Sequence, residues 1–244
     1  MPESLLDVTM QHRVGSLALD VSFRLTGPWT VLFGASGSGK TTVLRAVQGF
    51  VQPYTGRIVI AAQVVTDRVA KVNLAPHRRQ VRSAAQAARL FPGKTVRENV
   101  CFGAEPSIAD EVLAICRLQE FAGAMPGTLS GGERQRVSVA RAVASAATSG
   151  TLLLLDEPFG GLDLALRDAL AIELRDWLRL RGVPVLSVTH DVGEVFLLGA
   201  EVIRLVDGRI VEQGPVEQVL AKERDRLLGQ LGAGNLNTQS SPHV

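Results

Sequence analysis

Residues 29–47 read WTVLFGASGSGKTTVLRAV. WTVLF (29–33) is a short apolar run that stops at Gly34, the pattern of a buried strand feeding a turn. From Lys40 to Val51 the apolar positions recur at helical spacing. Between them, Gly34-Ala35-Ser36-Gly37-Ser38-Gly39-Lys40-Thr41 fits G-x-x-x-x-G-K-[ST], with Thr42 next in line. The glycines let the backbone wrap a phosphate closely. Successive amides and the helix N-terminus then point at it. Lys40 is placed to reach the β- and γ-phosphates, and the Thr41 hydroxyl to bind Mg²⁺. A nucleoside triphosphate is the expected ligand. The loop does not choose the reaction, because kinases, GTPases and motor ATPases all use it.

Strand and helix patterns alternate outward from this stretch. LALDVSFRL (17–25) alternates as a half-buried strand, and RIVIAAQVV (57–65) reads as one strand. Residues 77–92 are polar and mixed. Two or three short helices are expected between Thr95 and Gly127, for example 108–117, and a longer helix over 133–147. TLLLLD (151–156) is a continuous apolar run of the kind found in fully buried parallel strands. A helix over 164–181 and strands at PVLSVTH (184–190) and VIRLVDGRIV (202–211) follow, the last folded at Asp207-Gly208. A final helix is expected over 216–231, and the polar stretch 233–244 as a disordered tail. The expected class is α/β with a mainly parallel sheet.

Composition narrows the function classes. The chain has 244 residues, 46% hydrophobic, with a net charge of +2. That supports one substantial core and gives no nucleic-acid footprint. The two cysteines, Cys101 and Cys116, lack metal-type spacing. No apolar run approaches 18 residues and no signal-peptide layout begins the chain, so a soluble protein is expected. If it works at a membrane, another chain must cross it.

Asp156 and Glu157 follow the apolar strand directly. Ligands in open α/β sheets sit beyond the carboxyl ends of strands. Asp156 suits a place at Mg²⁺, and Glu157 suits polarising the attacking water. His190 ends another apolar strand and is placed to hydrogen-bond the γ-phosphate. Gln86, in the polar connector, is a weaker candidate for Mg²⁺ or the water.

A second phosphate seat appears in TLSGGERQR (128–136). Ser130 and Glu133 are spaced as a capping box, and Gly131 and Gly132 fall in the first helical turn, where each costs about 1 kcal/mol against alanine.

With LSGGE (129–133), LLLLDEP (152–158) and His190 beside the phosphate loop, the chain resembles the ATP-binding subunit of an ABC transporter over roughly residues 1–215. The resemblance implies a P-loop NTPase fold: a RecA-like core, an N-terminal antiparallel β part, and a helical subdomain at about 87–147. The ATPase domain would span 1–232. It implies that Gly34–Thr42 hold the phosphates of ATP, and that Thr41, Gln86 and Asp156 hold Mg²⁺. Glu157 is the base, with His190 and Gln86 as catalytic partners. Ser130, Gly131 and Gly132 form the signature that covers the nucleotide of a second copy, and Asp163 is the D-loop acid of the nucleotide site. The partners implied are therefore a head-to-tail homodimer and a polytopic membrane permease subunit on the cytoplasmic face, with a solute-binding protein acting indirectly. QAARLFPGKTVRENV (86–100) is similar to importer ATPases, especially those for molybdate and related oxyanions. Residues 8–16 carry no Phe, Tyr or Trp to stack on adenine, which leaves His12 or Val14 in that place. A non-transport ABC ATPase and a nucleotide-gated regulatory module are the alternatives. An intact Glu157 and His190 weigh against the second.

Overall fold

The computed structural model describes residues 5–236. The chain begins with β1 (Leu6–Val14), β2 (Leu17–Arg24) and β3 (Trp29–Phe33), then α1 (Lys40–Gln48). Four strands follow: β4 (Thr55–Ile60), β5 (Gln63–Asp67), β6 (Val72–Asn73) and β7 (Val81–Ala84). Helices α2 (Val96–Val100), α3 (Pro106–Ile115) and α4 (Gly131–Ser149) lead to β8 (Leu152–Asp156). The remainder is α5 (Leu164–Leu180), β9 (Val185–Thr189), α6 (Val192–Leu198), β10 (Glu201–Val206), β11 (Arg209–Pro215), α7 (Val216–Val219) and α8 (Ala221–Leu236).

The strands form one mixed sheet in the order β6-β5-β4-β1-β2-β11-β10-β3-β9-β8-β7. It is parallel from β10 across to β7 and between β11 and β2. The other ladders are antiparallel, so the parallel part is the core of the sheet rather than most of it. Every residue of β3, β8 and β9 is buried, because helices or strands cover both faces. Side-chain alternation then sorts the apolar run of β8. Leu152 and Leu154 join α1 and the β1, β2 and β4 strands, while Leu153 and Leu155 join the layer of α2 to α5. Among the described residues no helix is long and apolar enough to cross a membrane.

Four sequence expectations change. RIVIAAQVV is not one strand: Ala61 and Ala62 both take positive φ (46° and 62°), folding it into the β4–β5 hairpin. The polar stretch 77–92 hides β7, a four-residue edge strand paired in parallel with β8. Its polar side chains mask it, as is common for short, protected edges. α1 stops at Gln48, three residues early. Gly49 takes a left-handed cap, and a Cβ there would strike the Arg79 guanidinium. Arg79 is 2% exposed, and its Nη1 donates to the carbonyl oxygens of Ala46 and Val47 at 2.8 and 2.9 Å. It thereby satisfies the end of the helix. Finally, the last helix breaks at Leu220 into α7 and α8, and α8 runs to Leu236. The expected tail therefore loses its first four residues to the helix, since propagation adds one hydrogen bond per residue once a nucleus exists. Residues 237–244 of that expected tail lie outside the described residues.

Candidate functional site

Registry assembles the site. Phe33 pairs with Thr189, and Asp156 with Val188. Gly34, Glu157 and His190, each just past one of these strand ends, therefore leave the sheet along one carboxyl edge. Gly34 is required where it stands: a Cβ would run into the Leu205 carbonyl oxygen and the Ser38 hydroxyl. Gly37 and Gly39 take φ of 82° and 104°, a region L side chains avoid. Gly39 is the residue from which α1 starts.

Lys40 is 6% exposed. Its Nζ donates to the carbonyl oxygens of Gly34 and Ala35 at 2.7 and 2.9 Å. Burial pushes its ammonium below the usual lysine range, against the opposing pull of the Glu157 and Asp156 charges. The Thr41 hydroxyl lies 3.4 Å from Asp156 Oδ1. Burial pushes the Asp156 carboxyl up, opposed by the Thr41 hydroxyl. A buried carboxylate beside a hydroxyl, two hard oxygen donors at the foot of the phosphate loop, fits a magnesium ion held partly by a nucleotide's own phosphates. Among the described residues no cluster of three or more His, Cys, Asp or Glu forms.

Glu157 is the centre of the arrangement. Gln86 Nε2 donates to its Oε2 at 2.8 Å, and His190 Nδ1 lies 3.0 Å from its Oε1. Its φ is +48°, a strained conformation for a side chain of this kind, costing about 1–3 kcal/mol. Its own amide is tied to the Val188 carbonyl oxygen at 2.9 Å. Gln86 is thus joined to Glu157 rather than to the Thr41–Asp156 pair, with which it makes no hydrogen bond among the described residues.

The capping box at the start of α4 forms as its sequence indicates. Ser130 caps α4, accepting the Glu133 amide at 3.3 Å while Glu133 Oε2 accepts the Ser130 amide at 2.7 Å. A Cβ on Gly131 would meet nothing within 4 Å, so none of the described residues demands glycine there by close contact. Ser130, Gly131 and Gly132 line neither of the two clefts at the phosphate loop. Gly131 instead faces a groove with Gln86, Arg134 and Glu157. Asp163 caps α5 by accepting the Leu166 amide at 3.0 Å, and it lines no cleft at the phosphate loop. Beside Thr41 and Thr42 the cleft wall is Val14 and Leu17, whereas the His12 ring packs on Tyr54 at 4.8 Å.

One buried group escaped the sequence reading. Glu194, 3% exposed, accepts the Thr189 hydroxyl at 3.0 Å immediately behind His190. Asp191-Val-Gly-Glu194 is a capping pattern that signals the missed α6. The pattern does not signal that the Glu194 carboxylate turns inward.

The ABC transporter family matches residues 19–160. The molybdenum import ATP-binding protein ModC of Rhodospirillum rubrum is 36% identical over 225 residues, 89% of this chain and 60% of that protein. The spermidine/putrescine import ATP-binding protein PotA of Oleidesulfovibrio alaskensis is 38% identical over 210 residues, 82% of this chain and 54% of that protein. The chain thus spans less than two thirds of the length of either relative. In structure, cbiO1 from Clostridium perfringens, described as part of the ABC transporter complex cbiONQ, superposes with a TM-score of 0.74 at 23% identity. That match covers 97% of this chain and 99% of that one. With the phosphate loop, the Ser130-capped helix and the Glu157 centre in place, the match over residues 19–160 settles the assignment: the chain belongs to the ABC transporter family.

Proposed function

We propose that this chain is the ATP-hydrolysing subunit of an importer, working as a head-to-tail homodimer against the cytoplasmic face of a membrane permease. One observation carries the reading: Glu157 is held on both oxygens, by Gln86 and His190, at the sheet edge that bears the phosphate loop. A carboxylate fixed in this way is suited to accept a proton from an attacking water. Lys40 and the loop amides would hold the phosphates, and His190 would donate to the γ-phosphate. Thr41 and Asp156 would hold Mg²⁺, with Gln86 able to join them by reorienting. When bound, the ion supplies charge neutralisation on the phosphates.

The signature Ser130-Gly131-Gly132 and Asp163 serve the nucleotide of the second copy in this reading. The open space over Gly131 supports it. ATP binds the closed dimer better than the open one, and that difference is the free energy passed to the permease. The permease contact lies near Arg89–Glu98. Exposed Phe91 and Phe102 pack at 4.6 Å there, with the Arg141 guanidinium 5.0 Å from the Phe91 ring centre. The relatives named for molybdenum import favour molybdate or a similar oxyanion as cargo, delivered by a solute-binding protein.

Mixed dimers test the two-chain site. Lys40→Ala damages the phosphate loop, and Ser130→Arg blocks the signature. Neither variant alone should trap labelled ATP. A mixed dimer places both lesions in one site and leaves the other intact, so trapping at one site per dimer is expected. No gain on mixing, with heterodimers confirmed, would contradict the shared site.

A further inference from the structure

Glu194 lies in the first turn of α6 and is almost fully buried, which is rare for a carboxylate. Its Oε2 accepts the Thr189 hydroxyl at 3.0 Å, and that hydroxyl accepts the Asp191 amide at 3.1 Å. One carboxylate therefore holds both chain neighbours of His190. Its other oxygen, Oε1, is buried without a hydrogen-bond partner. A half-satisfied buried carboxyl opposes folding, and here the cost is borne at the flank of the histidine that meets Glu157.

The charged groups facing it are Asp191 at the α6 N-cap, Arg167 on α5 and Glu157 beyond β8. Arg167 is committed to Asp168 and Asp191, and among the described residues Glu194 has no ion pair. Asp191 also accepts the Glu194 amide at 2.9 Å, so the turn and the carboxylate brace each other.

We infer that Glu194 is a positioning residue for His190: as a carboxylate it grips the Thr189 hydroxyl and fixes the turn that presents His190 Nδ1 to Glu157 Oε1. A hydrogen bond to an ionised acceptor is roughly twice as strong as one to a neutral acceptor. Burial pushes the Glu194 carboxyl up to about 7, so the grip tightens above neutral pH and slackens below it. The consequence for turnover rests on the ATPase reading above, whereas the positioning does not.

Nitrogen NMR of histidine-labelled protein reads the positioning without turnover, with the His190 signal identified by its loss in His190→Asn. At pH 8 the Nδ1 resonance should move in Glu194→Gln and in Thr189→Val, and stay at the wild-type position in Thr189→Ser, which keeps the hydroxyl. At pH 6, where wild-type Glu194 is protonated, Glu194→Gln should coincide with wild type. A Glu194→Gln resonance that matches wild type at both pH values, or differs equally at both, overturns the inference. If Glu194→Gln does not fold, the Thr189→Val and Thr189→Ser pair decides it, and coincidence of those two at pH 8 is the contrary result. In turnover, the wild-type to Glu194→Gln kcat ratio should rise from about one at pH 6 to about tenfold at pH 8, with KM for ATP within about twofold, as for a misplaced catalytic group. A pH-independent ratio also overturns it. Absence of wild-type turnover would instead defeat the ATPase reading, leaving the resonances to decide the positioning.

Discussion

His190 Nδ1 stands 3.0 Å from Glu157 Oε1, although 33 residues separate them in the chain. Parallel pairing of β9 with β8 produces the contact, since each residue sits just past the end of its strand. The carboxylate is then closed on its other side by Gln86. Gln86→Ala and His190→Ala should each lower kcat by about 10²-fold, the lower range for a displaced acid–base group. On the reading that both hold Glu157, the double variant should lose much less than the product of the single losses. Steady-state kinetics of the three variants measure this, and full multiplicativity would mean that the two residues act independently.

The base pocket should discriminate poorly. Val14 and Leu17 form the wall beside Thr42, and stacking on an aromatic is worth about 1–3 kcal/mol per base. ATP and GTP should therefore compete for the site within about tenfold. Val14→Tyr should tighten nucleotide binding by a similar few kcal/mol at most. Competition titrations check both, and an ATP preference above about a hundredfold would mean that another residue reads the base.

The β4–β5 turn places two alanines at positive φ, where asparagine and glycine are preferred in a two-residue hairpin. Left-handed backbone costs a non-glycine residue about 1–2 kcal/mol. Ala61→Asn with Ala62→Gly should raise stability by about 1–2 kcal/mol, or a few degrees in Tm for a chain of this size. Thermal unfolding with unchanged ATPase activity is the expected result, and a lowered Tm would contradict the turn geometry.

Glu194 makes stability depend on pH. Its folded-state pKa of about 7 lies above the ordinary 4.5, so the folded chain holds a proton that the unfolded chain has released. The stability from this group is complete below about pH 4.5 and is lost as pH rises through 7. Glu194→Gln should therefore gain about 3 kcal/mol over wild type between pH 4.5 and pH 8. Denaturant unfolding at the two pH values measures it, and a difference that does not grow with pH would contradict the assignment.

Much of the site was legible because its chemistry is local. Gly34 to Thr42, Ser130 to Gly132 and Asp156-Glu157 each declare themselves within a few residues, and strands flanked by turns place the first and the last of these on one edge, whereas Ser130 to Gly132 open α4 away from the phosphate-loop clefts. The Ala61-Ala62 turn was not legible, since alanine carries no turn signal and the strain is offset by long-range pairing. β7 was hidden because an edge strand takes its stability from β8 rather than from its own propensity. His12, one of two stand-ins for a missing aromatic in residues 8–16, packs its ring on Tyr54 beside the β1–β4 ladder, a long-range contact the local sequence does not signal. The inward turn of Glu194 depends on Thr189, five residues away, and the sequence pattern gives only the capping half of its role.

Single-turnover hydrolysis by Glu157→Gln tests the central claim most directly. With Mg²⁺ and labelled ATP, the variant should bind nucleotide as tightly as wild type, because the phosphate loop is untouched. It should cleave the bound ATP at least about 10²-fold more slowly, so that an ATP-loaded dimer accumulates on a sizing column. Cleavage at the wild-type rate would contradict Glu157 as the group that activates water.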